Sequence, residues 1–252
     1  MILSLAVLFL TPLLSGLAIF FVPKGRNTNF KLMLVFAGSY LFAITVIHIL
    51  PDLYSGHADF TFIGLFVLIG FFLQQLLEYF TSGIEHGHIH TTHEHHSNDN
   101  HSHAHHRHAV SAIVLLLALC VHAFLEGGML VGGDAHRANI ILLGIALHRA
   151  PAAFALMTVL AFQLHSRKKA IPYLVVFSLA APVGLLLSTY LMDAGILSSR
   201  GLVYLYALVS GNFLHISTTI VFESSPEHRF HAKKMLVAIG GSSLAVLVQA
   251  LI

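Results

Sequence analysis

Runs of about 20 residues almost free of charge constrain this chain more than any other feature, because a helix needs about that many apolar residues to cross a bilayer core. Eight stretches qualify, at roughly 3–22, 31–50, 60–80, 110–131, 138–161, 171–191, 202–222 and 235–252. In hydrocarbon a backbone must satisfy its own hydrogen bonds, which leaves helices and closed barrels. No stretch alternates apolar and polar residues as barrel strands do. The expected fold is therefore an all-α integral membrane protein with eight transmembrane helices. Composition agrees: 10% of residues are charged, against about 25% in soluble domains. The first stretch has no basic residue before it and no small-residue cleavage site, so it reads as a helix rather than a signal peptide. The eighth is short and interrupted by Gly240 and Gly241. The single cysteine, Cys120, excludes an internal disulfide and reads as a small apolar packer.

The chain divides into residues 1–80 with segments one to three, a loop at 81–109, and residues 110–252 with segments four to eight, all one membrane domain. Ten of the thirteen Lys and Arg residues follow odd-numbered segments: Lys24, Arg26, Lys31, Arg107, Arg167, Lys168, Lys169, Arg229, Lys233 and Lys234. Only Arg137 and Arg200 follow even-numbered ones. Cytoplasmic loops carry the excess of basic residues. The odd loops are thus expected in the cytoplasm and both termini outside it, in the cell (inner) membrane. The lipid bilayer is one expected partner. A net charge of +2 gives no sign of nucleic acid.

The 81–109 loop reads TSGIEHGHIHTTHEHHSNDNHSHAHHRHA and holds eleven of the twenty histidines: His86, His88, His90, His93, His95, His96, His101, His103, His105, His106 and His108. It has no apolar periodicity with which to bury itself. Imidazole is the commonest metal ligand near neutral pH, and a run of imidazoles chelates zinc, copper or nickel with little geometric selectivity. The functional reading is cytoplasmic metal capture or sensing. The bland one is a solvated linker.

Titratable groups inside a span are functional candidates by default, because burying them in hydrocarbon is expensive. In segment four, ALCVHAFLEGGML places His122 and Glu126 one helical turn apart, on one face. In segment five, GIALHRAPAAFAL places His148 and Arg149 at mid-span, with Pro151 removing the hydrogen bond to the carbonyl of Leu147 and favouring a kink. Segments four and five are expected to be kinked around a central site. Two histidines and a carboxylate make a three-ligand set for a divalent ion, with one position left for water or substrate. A structural Glu126–Arg149 ion pair beside two hydrogen-bonded histidines is the alternative. His48 and Asp52 at the end of segment two, in HILPDLY, and His215 in segment seven, in SGNFLHIST, are candidate pathway residues. For each, a helix end or a packed histidine is the plainer account. Gln74, Gln75 and Glu78 at the end of segment three read as a solvated interface.

Taken together these motifs resemble the ZIP family of metal permeases. HAFLEG is similar to the family's His-Asn-Phe-x-Asp/Glu-Gly signature, and HRAP to its His-Glu-x-Pro-His-Glu element. HILPD, APVG and GNFLHIS stand where the family has comparable motifs. Eight helices, outside termini and a His-rich loop between the third and fourth helix match as well. The resemblance implies divalent metal, zinc first, as the transported substrate, and a two-metal site between the fourth and fifth helices. Carried across, the first site keeps His122, Glu126 and His148, while the usual bridging ligand falls on Ala152. The second site falls on Ala123, Arg149 and Ala181, none of which can serve. Arg149 puts a permanent charge about where the second cation would lie, so it is expected to stand in for that ion.

The leading expectation is uptake of a divalent metal toward the cytoplasm through a single intramembrane site, by a protein that is not an enzyme and that can pair as a homodimer. One alternative is a non-transporting membrane sensor or buffer built on the histidine loop. A weaker one is an intramembrane metallohydrolase, since three ligands and an open position also suit catalytic zinc. There is no HExxH, and Glu126 is already used as a ligand.

Overall fold

A computed structural model describes residues 1–21, 30–56, 59–81, 112–132, 135–223 and 232–251. Among these the chain is helices and short connecting turns, with no strand, and a helix covers each expected span. Helix α1 runs Ile2–Leu17 and tightens into a 3₁₀ turn at Ala18–Phe20. Helix α2 (Phe30–Ile44) continues through a π turn (Thr45–Ile49) into α3 (Leu50–Ser55), so the three make one span. Then follow α4 (Phe60–Thr81), α5 (Ala112–Gly128), α6 (Ala135–Gln163), α7 (Arg167–Asp193), α8 (Ser199–Glu223) and α9 (Ala232–Leu251). Six spans among the described residues are long and apolar enough to cross a bilayer. The other two are α5, a shorter apolar helix of 17 residues, and α8, which buries Asn212 and His215.

The π turn has a local cause. Pro51 has no N–H to give the carbonyl of Ile47, and the Leu50 N–H reaches back to Thr45 instead. His48 sits inside that widened turn. Pro151 and Pro182 lie within α6 and α7, whose helical assignment runs through both.

The α5 sequence explains how the helix is oriented. Leu115, Ala118, Leu119, His122, Ala123, Glu126 and Gly127 are buried, a stripe at spacings of three and four. Ile113, Val114, Leu117 and Val121 lie on the opposite face, exposed on the protein surface. Lipid is as apolar as leucine, so large apolar side chains gain nothing by turning inward, and small and polar residues line the contacts. A Cβ on Gly127 would collide with the Ala181 carbonyl of α7, and a Cβ on Gly184 with the Phe124 carbonyl of α5. The two backbones touch at that crossing. Gly70 of α4 and Gly211 of α8 make a second reciprocal crossing of the same kind.

These crossings anchor two groups of helices, joined where α2 also packs on α6 and α4 on α5. Helices α5 and α1 pack on α7, and α1 also on α6; α4 and α2 pack on α8, and α9 on α2. Two apolar clusters fill the interior. One includes Met129 just after α5, Ile145 of α6, Ala181 of α7 and Phe213 of α8. The other includes Ala123 of α5, Ala153 of α6, Phe177 of α7 and Ile216 of α8. Glu126, His148 and Arg149 fall between the two clusters along α5 and α6, as His215 does along α8.

Most buried hydroxyls are turned onto their own helix. Ser39, Thr45, Ser178 and Ser210 each donate to the carbonyl four residues earlier, at 2.7, 2.7, 2.8 and 2.6 Å.

Candidate metal centre

The three residues expected to form a ligand set converge. His122, Glu126 and His148 each bring one ligand atom to within 4.8 Å of the others, the only such group among the described residues. All are buried, at 3, 0 and 1% exposure. The α5 turn sets His122 Nε2 at 3.0 Å from Glu126 Oε1. His148 comes from α6, its ring perpendicular to that of His122 with centroids 5.9 Å apart. Zinc–nitrogen bonds of about 2.0–2.1 Å place tetrahedral ligand atoms about 3.4 Å apart. Side-chain shifts of about an ångström therefore suffice to close the set on an ion.

Arg149 is the fourth member, 1% exposed. Its Nε stands 3.9 Å from Glu126 Oε2. Its Nη2 donates to the Phe177 carbonyl of α7 at 3.1 Å, and its guanidinium lies 4.8 Å from the centre of the Phe177 ring. One side chain thus ties α5, α6 and α7 together. Sequence reasoning missed Phe177, since a backbone acceptor and a ring face have no local signature. Ser15 of α1 donates to the Ala150 carbonyl beside Arg149, another link that had no signal in the chain.

Ala123, Ala152 and Ala181 are all buried and none carries a ligand atom. Ala181 belongs to the α7 backbone that presses on Gly127, the residue after Glu126.

The remaining candidates lie apart from this set. His48 Nε2 and Asp52 Oδ2 are 3.9 Å apart. They line a cavity of about 320 Å³ together with Gly132, Met192, Ser199 and Tyr206. Tyr206 closes one wall by donating its hydroxyl to the Val131 carbonyl at 2.9 Å. His215 Nδ1 lies 3.5 Å from Glu78 Oε2 of α4, and its ring packs edge-on against Phe71. That pairing corrects one expectation. Gln75 is exposed, but Gln74 is fully buried and Glu78 partly so, because the Gly70–Gly211 crossing draws this face of α4 onto α8 rather than toward solvent. The eleven loop histidines, His86 to His108, lie outside the described residues.

The fold and the buried His–Glu–His set define a helical membrane protein with a metal-type ligand cluster at its centre. The sequence profile of the ZIP zinc transporter family matches residues 84–249, and the chain belongs to that family. It is 29% identical over 141 residues to "Protein zntD" of Dictyostelium discoideum, a match covering 53% of this chain and 21% of that protein. It is 29% identical over 170 residues to "Zinc transporter ZIP9" of Micropogonias undulatus, covering 63% of this chain and 50% of that one. The matched region thus spans half or less of the length of these relatives.

Proposed function

We propose that this protein carries a divalent cation, zinc foremost, across a membrane toward the cytoplasm, through a single intramembrane site formed by His122, Glu126 and His148. The observation that carries the reading is the buried convergence of these three residues from two helices. Two neutral imidazoles and one carboxylate suit zinc and leave a position open for exchange. Arg149 replaces a second cation: it neutralises Glu126 on the side away from His122, where Ala123, Ala152 and Ala181 supply no ligand. The His48–Asp52 cavity and the Glu78–His215 pair are the proposed way-stations on either side. Both termini lie outside the cytoplasm in this arrangement, and the histidine loop gathers metal on the cytoplasmic face. The zinc transport named for the ZIP9 relative supports the same assignment.

A specific observation favours one rival. Glu126 and Arg149 already balance each other's charge, so the pair could hold the helices together without ever binding metal. Uptake into proteoliposomes, run with zinc, iron, manganese, cadmium and cobalt, decides between them. Uptake of at least zinc, abolished by His122→Ala, is the expected result. Metal-free vesicles in every case, with the protein folded, would refute transport.

A further inference from the structure

Arginine presents five N–H donors and stays charged at any physiological pH. Among the described residues, Arg149 makes its hydrogen bond through Nη2, to the Phe177 carbonyl. The Nε–Oε2 separation of 3.9 Å exceeds a hydrogen bond. Neither Nε nor Nη1 has a hydrogen-bond partner among the described residues, although the side chain is 1% exposed. Buried donors left in this state are unfavourable, most of all on a charged group.

The proposed metal site adds a second imbalance. Without metal, Glu126 and Arg149 cancel. Histidines that ligate a metal do so as neutral imidazole. A divalent ion on His122, Glu126 and His148 therefore leaves two positive charges uncompensated in a buried setting, and no carboxylate stands at positions 123, 152 or 181 to offset them. Three protein ligands also leave one tetrahedral position unfilled.

The geometry points to one group that fills the open position, engages the guanidinium donors and offsets one of the two charges: the site binds its divalent ion together with a small monovalent anion, which ligates the metal and accepts hydrogen bonds from Arg149. The inference rests on the metal site proposed above. A halide or a formate-sized carboxylate fits the chemistry, the carboxylate accepting from two guanidinium N–H groups at once. Phe177, stacked on the guanidinium, shields one face and leaves the N–H edge for the anion.

The test uses the full-length chain with the eleven loop histidines changed to asparagine, so that the loop does not bind the probe. Zinc affinity is measured by chelator competition in solutions whose only small anion is chloride, formate or weakly coordinating triflate. Affinity in chloride or formate is expected to exceed that in triflate by about tenfold or more, the size of one charge-assisted hydrogen bond. The ranking of chloride and formate tells a halide from a carboxylate. Arg149→Gln is expected to erase the dependence. A second readout needs no Arg149 variant: zinc-edge X-ray absorption in bromide is expected to contain a bromine neighbour, diminished by added formate. Nitrogen and oxygen neighbours alone, with affinities equal within about twofold across the three anions, overturn the proposal. An anion dependence that persists in Arg149→Gln overturns it too. Zinc bound in none of the solutions overturns it together with the metal site, which separates that failure from the other two.

Discussion

Changing Arg149 to methionine leaves Glu126 buried without its guanidinium partner, and the structure sets the size of the effect. At the observed 3.9 Å, two unit charges attract by about 4 kcal/mol at an effective dielectric near 20. Breaking a buried pair by removing one partner typically destabilises by about 3–5 kcal/mol. The contact with the Phe177 ring, whose centre is 4.8 Å away, contributes about 0.5–2 kcal/mol more. Arg149→Met is therefore expected to destabilise by about 3.5–7 kcal/mol. Glu126→Gln, which strands the guanidinium instead, is expected to cost about 3–5 kcal/mol. The double variant removes both charges, so its destabilisation should fall short of the sum by about 3 kcal/mol. Unfolding by SDS in mixed micelles, with a chelator present to exclude metal, measures all four proteins on one scale. If the single effects add to within about 0.5 kcal/mol, each charge has its own solvation and the coupling between α5 and α6 argued here is wrong. Zinc at a hundredfold excess over its dissociation constant should stabilise the parent by about 2.7 kcal/mol and leave Glu126→Gln unmoved.

The parent is expected to bind one zinc in the membrane domain, and Arg149→Asp with Ala152→Glu two; calorimetry on the loop-substituted protein counts them, and a parent that binds two refutes the single site. Gly184→Val forces a side chain onto the Phe124 carbonyl and should destabilise by at least about 1–3 kcal/mol in the same SDS titration; an unchanged midpoint would mean that α5 and α7 are not in backbone contact. Single cysteines placed in the 81–109 and 165–170 loops of Cys120→Ala should resist external labelling in intact cells, and labelling of both loops would reverse the orientation. Deleting residues 84–108 should leave uptake measurable with altered apparent affinity, whereas complete loss in a folded protein would make the loop essential.

Six of the spans were readable from length and hydropathy, and α5 and α8 from low charge over a stretch of about 20 residues. The His122–Glu126–His148 set was readable because its members are unusual in such surroundings and two of them share a helical turn. What joins helices was not readable in that way. The π turn at Thr45–Ile49 follows from Pro51, yet a proline there is equally compatible with a simple helix end. The Arg149–Phe177 contact depends on which helix packs beside α6, and nothing local to either residue says so. The burial of Gln74 had a signal that was there to be used. Gly70, Gln74 and Glu78 repeat every four residues, as do Gly211 and His215, and a glycine at the head of such a row marks the face along which two membrane helices approach. Read from that end, the polar row of α4 belongs inside.

The back-bonded hydroxyls bear on which ions can dwell in this interior. Calcium and magnesium hold six or more oxygens each, and leave water only when a comparable shell replaces it. Ser39, Thr45, Ser178 and Ser210 present neutral oxygens, each held in place by donation to its own backbone, and neutral hydroxyls scattered over three spans do not assemble the carboxylate-rich shell such ions take. Beside the two imidazoles, Glu126 is the one carboxylate among the described residues at the centre. An alkaline-earth ion drawn there would shed its hydration and receive little in return, whereas a borderline ion at home with nitrogen needs few partners. If a metal occupies the centre, two imidazoles and a single carboxylate suit a borderline ion better than a hard one, and no separate filter is needed for that preference.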